Sequence, residues 1–147
     1  EQRKTTQLLF NKVQDLAYIV YQIDEMLQLN KTLAENDKGY KKTASKYDSQ
    51  LNSLKNTLVI TTGDNYVGSA EKQLREKLGS IYASIASQYD APSPSQKANI
   101  ESVLDLFNKA EMEFKKLEKN IFPKILDRYK KLNSDYKLKT FDQFIEG

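Results

Sequence analysis

The sequence predicts an all-α fold, an antiparallel up-down-up-down four-helix bundle with a long, kinked last helix. Three observations lead to this prediction. Apolar residues recur at alternating intervals of three and four along most of the chain, which places them on one stripe of a helix. Glycine and proline are scarce, with five and three residues among 147, which favours long helices with few turns. Finally, Ser93-Pro94-Ser95-Gln96 is typical of a capped helix start.

The first helix is predicted at residues 5–34 and the second at residues 40–58. A short turn of sequence Asn-Asp-Lys-Gly separates them, so we expect antiparallel neighbours. The first apolar face is wider than the seam of a two-stranded coiled coil, which favours a bundle. Its residues are Leu9, Val13, Leu16, Val20, Ile23 and Leu27, widened by Ile19, Met26, Leu29 and Leu33. The second stripe consists of Tyr40, Ala44, Tyr47, Leu51, Leu54 and Leu58.

An irregular segment at residues 59–69 precedes a third helix, predicted at residues 70–89 with Ser69 as its N-cap. The fourth helical pattern extends over residues 94–136. Pro123 lies inside it and predicts a kink, or a break near residues 120–122, because proline removes one backbone hydrogen bond and collides with the preceding turn. The stripes are Leu74, Leu78, Ile81, Ile85 and Tyr89, then Ile100, Val103, Phe107, Ala110, Phe114, Leu117 and Ile121, continued by Ile125, Leu126, Tyr129, Leu132 and Tyr136.

We expect the residues near the middle of each helix to lie deepest in the core, namely Leu16, Leu51, Ile81 and Phe107. The last nine residues include Phe141, Phe144 and Ile145, too apolar for a free tail, so we expect them to fold back over one end of the bundle. A length of 147 residues predicts one domain. The chain begins at Glu1 and leads directly into a helical pattern, so we expect a piece of a longer or processed protein.

The amino-acid composition limits the catalytic and metal-binding chemistry that the chain can carry. The chain has no histidine, cysteine or tryptophan, so it lacks the commonest general base, the commonest metal ligand and any disulfide. No metal site and no cofactor is predicted. A net charge of +3 is too weak to indicate nucleic acid, and no apolar run reaches the roughly 20 residues of a membrane span.

Several polar features have a structural and a functional interpretation, and the structural one is favoured for each. The acidic pairs Asp24 with Glu25 and Glu35 with Asp37 fit solvated helix faces better than an acid–base site. Asn30 begins a formal glycosylation acceptor that falls in mid-helix. The tyrosines could form a ligand platform or pack at the edges of the bundle: Tyr18, Tyr21, Tyr66, Tyr82 and Tyr129. The basic residues of the last third could bind an anionic surface or form the wet side of a helix: Lys115, Lys116, Lys119, Lys124, Arg128, Lys130, Lys131, Lys137 and Lys139.

The irregular segment contains the one candidate surface site, formed by Thr62, Asp64, Tyr66 and the nearby Arg75. Two glycines here have the spacing of a phosphate-binding loop, but Ser69 stands where that motif needs lysine. A structural loop is therefore favoured over a nucleotide site.

One group of segments resembles a known family: Thr61-Thr62-Gly63-Asp64-Asn65-Tyr66, Gln73-Leu74-Arg75-Glu76-Lys77-Leu78, Ser80-Ile81-Tyr82 with Ile85, and Ser95-Gln96 after a proline-containing turn. Mainly over residues 61–107, the chain resembles the C-terminal helical domain of bacterial sortilin-like and BNR-repeat proteins, often described as glycosyl hydrolases. In those proteins a large β-propeller and a small β-sandwich precede the helical region. The resemblance implies a periplasmic, cell-surface or secreted protein, with any glycan- or peptide-directed activity on the absent propeller. It carries over no catalytic residue.

The first functional hypothesis is thus a non-catalytic accessory or interaction domain, whose partners are the upstream domains of the same chain. Pairing between copies stays open, since a wide apolar face can also pair between chains. The alternative is a stand-alone helical module that binds a ligand or carbohydrate, suggested by the tyrosines and the glycine-containing loop. An enzyme in its own right has no supporting constellation, and a basic surface-binder would lose affinity steeply with salt.

Overall fold

A computed structural model describes residues 2–59 and 73–147. Over these residues the chain is all-α and contains no β-strand, which confirms the all-α part of the prediction. The helices of the described part are α1 (Gln2–Asn36), the short 3-10 helix η1 (Lys38–Tyr40), α2 (Lys41–Leu58), α3 (Leu74–Ala86), α4 (Pro94–Asn120), α5 (Phe122–Lys130) and α6 (Phe141–Glu146).

The start of α4 carries the predicted capping box. The Ser93 hydroxyl accepts a hydrogen bond from the Gln96 backbone N–H at 3.1 Å, and the Gln96 side-chain oxygen accepts one from the Ser93 N–H at 2.9 Å. Two of the N–H groups that a helix start leaves open are thereby satisfied. The Gln96 amide also donates to the Gln88 side chain at 2.9 Å, which ties the preceding turn to the helix.

The third helix is shorter than predicted. The proposed cap Ser69 lies outside the described residues, and α3 begins at Leu74. It ends at Ala86, so Tyr89 falls beyond it and is fully exposed instead of buried. The helical spacing of apolar residues extends to Tyr89, but the helix ends before it. Hydrogen bonds between the Gln88 and Gln96 side chains hold a turn at this point.

The interruption predicted at Pro123 is a break. α4 ends at Asn120 and α5 begins at Phe122, with Ile121 between them at φ −106° and ψ −46°. Proline is tolerated here because it occupies the first turn of α5, where a missing N–H costs little. α5 ends at Lys130, and Leu132, predicted to be buried, is 55% exposed.

The residues form two compact units, one of residues 1–17 and 56–111 and the other of residues 18–55 and 112–147. Helices α1, α2 and α4 contribute residues to both. The prediction of a single domain stays a prediction.

Most of the predicted core positions are buried. Leu16, Leu51 and Phe107 are at most 1% exposed, as predicted. Ile81 is also buried, but at 8% exposure it is not the deepest residue of α3. That place belongs to its neighbours one turn away, Leu78 and Ile85.

In the first unit, α1 packs against α3 and α4. The rings of Phe10 and Tyr82 lie 6.0 Å apart, and the Lys12 ammonium lies 4.9 Å from the centre of the Phe107 ring. One turn further along α1, burial raises the pKa of Asp15, and nearby Glu111 raises it further. Residue numbers thus rise together on α1 and α4, so these helices run in the same direction. The predicted up-down-up-down order sets them antiparallel and does not agree with these contacts.

In the second unit, α1 packs against α2. The Asn30 amide reaches the Ala44 carbonyl and the Asp48 carboxylate, while Asp24 forms an ion pair with Lys55 at 2.6 Å. Residue numbers on α2 rise as those on α1 fall. The two helices of this unit are therefore antiparallel, as their short connection predicts.

Phe107→Ala tests the core of the first unit. We expect it to lower the free energy of unfolding by about 3–5 kcal/mol, because it removes a fully buried ring and leaves a cavity. Chemical denaturation measures the change. Leu106→Ala is the matched control, since Leu106 is adjacent and 38% exposed. Equal losses for the two variants, or a loss below about 1 kcal/mol for Phe107→Ala, would contradict the assigned core.

Candidate functional site

The loop site predicted from the sequence falls largely outside the described residues. Thr62, Asp64 and Tyr66 lie in that part of the chain. Arg75 lies in the first turn of α3, is exposed, and places its Nε atom 3.6 Å from a carboxylate oxygen of Glu76. This proximal ion pair is all that the described residues contribute, so the loop site stays a prediction.

The most developed polar constellation of the second unit is centred on Asn30, which is fully buried. Its side-chain amide donates to the Ala44 carbonyl and to the Asp48 carboxylate, each at 2.8 Å. Its side-chain oxygen accepts a hydrogen bond from the Tyr40 hydroxyl at 2.7 Å. A buried amide with these partners is satisfied and joins α1 to α2 and η1.

Sequence reasoning missed this role. The Asn-Lys-Thr triplet at residues 30–32 matches a glycosylation acceptor, but the Asn30 side chain has no exposed surface and cannot accept a glycan. One signal was available: Asn30 follows Ile23 and Met26 at helical spacing and therefore falls on the apolar face of α1. A polar residue at such a position needs buried partners, and the turn that follows α1 supplies one of them.

Tyr40 connects this network to α5. Burial raises its pKa to about 12, with a further contribution from Tyr47 and an opposing one from Arg128. The Arg128 guanidinium lies 4.6 Å from the centre of the Tyr40 ring and forms an ion pair with Asp37. Asp37 in turn caps η1 by accepting a hydrogen bond from the Gly39 N–H at 2.9 Å. The pKa of Asp37 is held below its usual value by the Arg128 hydrogen bond and then by Gly39.

The acidic pairs do not form an acid–base site. Asp24 is engaged by Lys55, and Glu25 accepts a hydrogen bond from the Tyr136 hydroxyl at 2.7 Å. Burial and this hydrogen bond both raise the pKa of Tyr136 well above its usual range. Glu25 is half-buried, so the predicted solvated face is wrong for this residue. Its partner comes from more than a hundred positions away, a distance that local pattern does not report.

The tyrosines of the alternative ligand platform are divided between the two units. Tyr82 packs on Phe10 in the first unit, Tyr129 packs on Tyr136 in the second at a ring distance of 5.3 Å, and Tyr66 lies outside the described residues. Tyr18 and Tyr21 do lie together, with ring centres 6.0 Å apart.

The end of the chain covers these two tyrosines. Phe144 lies 5.4 Å from Tyr18 and 5.1 Å from Tyr21, and Phe141 lies 5.5 Å from Tyr18. The C-terminal residues fold back as predicted. They rest near the middle of α1 and not over an end, because that is where α1 presents a pair of tyrosines.

Two depressions accompany these features. In the second unit an open groove between α1 and α2 is lined by charges of both signs, including Lys31, Glu35, Lys41 and Asp48. In the first unit a smaller cleft of about 130 Å³ lies between α3 and α4 beside Ser84. The groove is the better candidate for a polar ligand, since four charged side chains face one space.

The basic residues of the last third of the chain are all exposed, as the wet-side interpretation predicts. Acidic residues accompany them, and Lys116 pairs with Glu113 at 3.2 Å. Among the described residues, no group of three or more acidic side chains has the geometry to hold a metal ion. None of the described helices combines the length and hydropathy needed to cross a membrane.

Comparison with protein-family models, with curated proteins and with solved structures finds no match to this chain. A function for this chain is therefore inferred from its residues and their contacts.

Asn30→Ala is expected to reduce the free energy of unfolding by about 2–4 kcal/mol, because it leaves the buried Tyr40 hydroxyl without this acceptor and removes the bonds to the Ala44 carbonyl and the Asp48 carboxylate. Urea denaturation measures the loss. Asn36→Ala is the control on the same helix, since its amide only bonds the Thr32 carbonyl at the surface, and we expect a change within about 0.5 kcal/mol. Similar effects for the two variants would show that the network does not stabilise the fold.

The ion pair of Asp37 predicts a pH dependence. A carboxyl whose pKa is lower in the folded state stabilises the fold above its unfolded pKa, and this stabilisation disappears as the pH falls through the folded value. Asp37→Asn should therefore lower the urea midpoint at pH 7, and the difference from wild type should shrink below about pH 4. Glu101→Gln, at an exposed position of α4, is the control. A difference that stays constant with pH would contradict the assigned pair.

Proposed function

We propose that this chain is a non-catalytic helical domain that docks onto other domains of a longer, exported protein. One observation carries the proposal: the polar side chains best suited to chemistry hold helices together. Asn30 and Tyr40 are buried against each other, Asp37 is paired with Arg128, and Glu25 accepts the Tyr136 hydroxyl. Groups committed in this way are not available to a substrate.

The resemblance of residues 61–107 to the helical region of sortilin-like and BNR-repeat proteins supports the rest of the proposal. On that basis the partners are an upstream β-propeller and β-sandwich, and the location is the periplasm, the cell surface or the medium. Activity toward glycans or peptides would belong to the propeller, and this domain would position or space it.

The arrangement we propose for the helices differs from a four-helix bundle. In the second unit α2 packs antiparallel to α1. In the first unit α3 and α4 pack against α1, and α4 runs in the direction of α1. At 18 and 13 residues, α2 and α3 are each much shorter than the 35-residue α1.

Individual exposed apolar side chains in each unit support docking. In the second unit Met112 on α4 is 63% exposed; in the first unit Tyr89 is fully exposed and Leu8 is 42% exposed. Single apolar residues on a surface are common, but they are the ones that a partner covers with the greatest gain.

A ligand- or carbohydrate-binding module is the second candidate, and the open groove of the second unit favours it. Lys31 and Glu35 face Lys41 and Asp48 across the groove, so hydrogen-bond donors and acceptors converge there. A thermal-shift screen with mono- and oligosaccharides tests this candidate. A hit that Asp48→Ala leaves unchanged would place the binding elsewhere.

The docking proposal predicts that the separately produced upstream region binds residues 1–147 in calorimetry. Met112→Lys should weaken binding at least tenfold, or about 1.4 kcal/mol, because it places a charge in an apolar contact. Asn108→Lys is the control, since it adds the same charge at an exposed position of α4. No binding at about 100 μM, near 5.5 kcal/mol in affinity, would contradict docking.

A further inference from the structure

A small aromatic surface of α1 is covered by the chain's own C-terminal segment. We call Tyr18 and Tyr21 the tyrosine face, and residues 139–147 the C-terminal strap. Phe141 and Phe144 of the strap pack on the tyrosine face with ring-centre distances between 5.1 and 5.5 Å. The two phenylalanines are three positions apart, so one turn of α6 aims both at the same face.

Two hydrogen bonds align the strap with the tyrosine face. The Tyr18 hydroxyl donates to the Lys139 carbonyl at 2.6 Å, and the Lys139 N–H donates to the Tyr21 hydroxyl at 3.3 Å. Both bonds use the backbone of residue 139. Any residue with a free N–H could therefore occupy this position, whereas the two phenylalanine positions require large apolar rings.

The strap enters this site with its helix already started. The Thr140 hydroxyl accepts a hydrogen bond from the Gln143 N–H at 3.3 Å, and the Gln143 side chain accepts one from the Thr140 N–H at 3.0 Å. The strap therefore consists of an extended threonine followed by a helical turn with phenylalanine at its first and fourth positions.

The strap is also the least anchored helical element of the second unit. α6 has six residues, none of them buried, and Ile145 is 45% exposed. Helices this short are not stable alone in water. Elements with few buried apolar contacts open locally at a small fraction of the free energy of global unfolding.

From these contacts we propose that the tyrosine face is a docking site for a short helical peptide with phenylalanine at positions i and i+3, and that the C-terminal strap is its built-in competitor. A helix laid on an apolar face is a recurring mode of peptide recognition. The partner is a segment of this chemistry in the upstream domains of the same protein. The proposal deepens the docking function given above and rests on it.

Competition follows from the tether. The strap follows closely after Tyr136, which is itself held to α1 by its hydrogen bond to Glu25, so the strap is presented to the tyrosine face at high effective concentration. An external peptide can bind only while the strap is open. Its apparent affinity is therefore reduced in proportion to the fraction of molecules whose strap is open. Weakening the strap should strengthen binding of the external peptide.

A labelled peptide of residues 137–147 is the probe, added to the full chain and followed by fluorescence anisotropy. We expect at least tenfold tighter binding to the Phe141→Ala, Phe144→Ala double variant than to wild type. Adding Tyr18→Ala and Tyr21→Ala should remove the binding, and a peptide with Phe144→Ala should bind at least tenfold more weakly. Equal binding to wild type and the double variant, or no binding to a folded double variant at 1 mM, would overturn the proposal.

Hydrogen exchange on the wild-type chain tests the opening without any substitution. The Phe144 N–H donates to the Thr140 carbonyl at 2.9 Å, so its exchange reports α6. We expect it to exchange at least a hundredfold faster than amides near the buried Ile23 of α1, with a rate that low urea leaves unchanged. Exchange of both only through global unfolding would overturn the strap. Thr140→Ala, which removes one cap bond, should speed the exchange further.

These outcomes separate the two proposals. Upstream domains that bind without any binding of the peptide would leave the docking function standing and remove the tyrosine face as its site. Peptide binding without upstream docking would do the reverse, and would assign the face to a partner in another protein.

Discussion

The structure depends on burying one long apolar face, that of α1. This helix has 35 residues and contributes to both compact units. Each leucine or isoleucine that it buries is worth about 1.5–3 kcal/mol compared with exposure to water. No single helix of the described chain is long enough to cover it alone. The other helices are therefore recruited in sections, with α3 and α4 contacting its first part and α2 its second.

Burial of apolar surface has no direction, so something else must set which residues meet. In the second unit Asn30 does this. Its amide is satisfied only when Ala44, Asp48 and Tyr40 stand at the correct positions, and a shift of α2 by one turn would strand a buried polar group. The ion pair of Asp37 with Arg128 also favours this arrangement. It stabilises the fold less than the Asn30 hydrogen bonds do, because both of its partners are exposed.

Polar side chains at contacts between elements also bear on function. Tyrosines, carboxylates and amides that could have formed a reactive pocket are used at contacts between elements. Tyr136 on Glu25 and the tyrosine face under the C-terminal strap both join α1 to the end of the chain. Among the residues that the structure describes, the proposals rest on exposed apolar side chains, the charged groove of the second unit and the face that the chain itself occupies.

The sequence by itself determined the helical class, the cap at Ser93, an interruption of the last helix near Pro123 and most of the buried positions, because periodicity, capping and proline geometry act within a few residues. Tertiary structure decided what depends on residues far apart. It showed that α1 and α4 run in the same direction, that Asn30 is buried with three partners, and that the last residues rest on Tyr18 and Tyr21. Of the candidate site only Arg75 could be placed. An amphipathic stripe predicts that one face of a helix is buried, but the stripes of the different helices are chemically similar. Which two stripes pack together is therefore decided by side-chain packing and by buried hydrogen bonds.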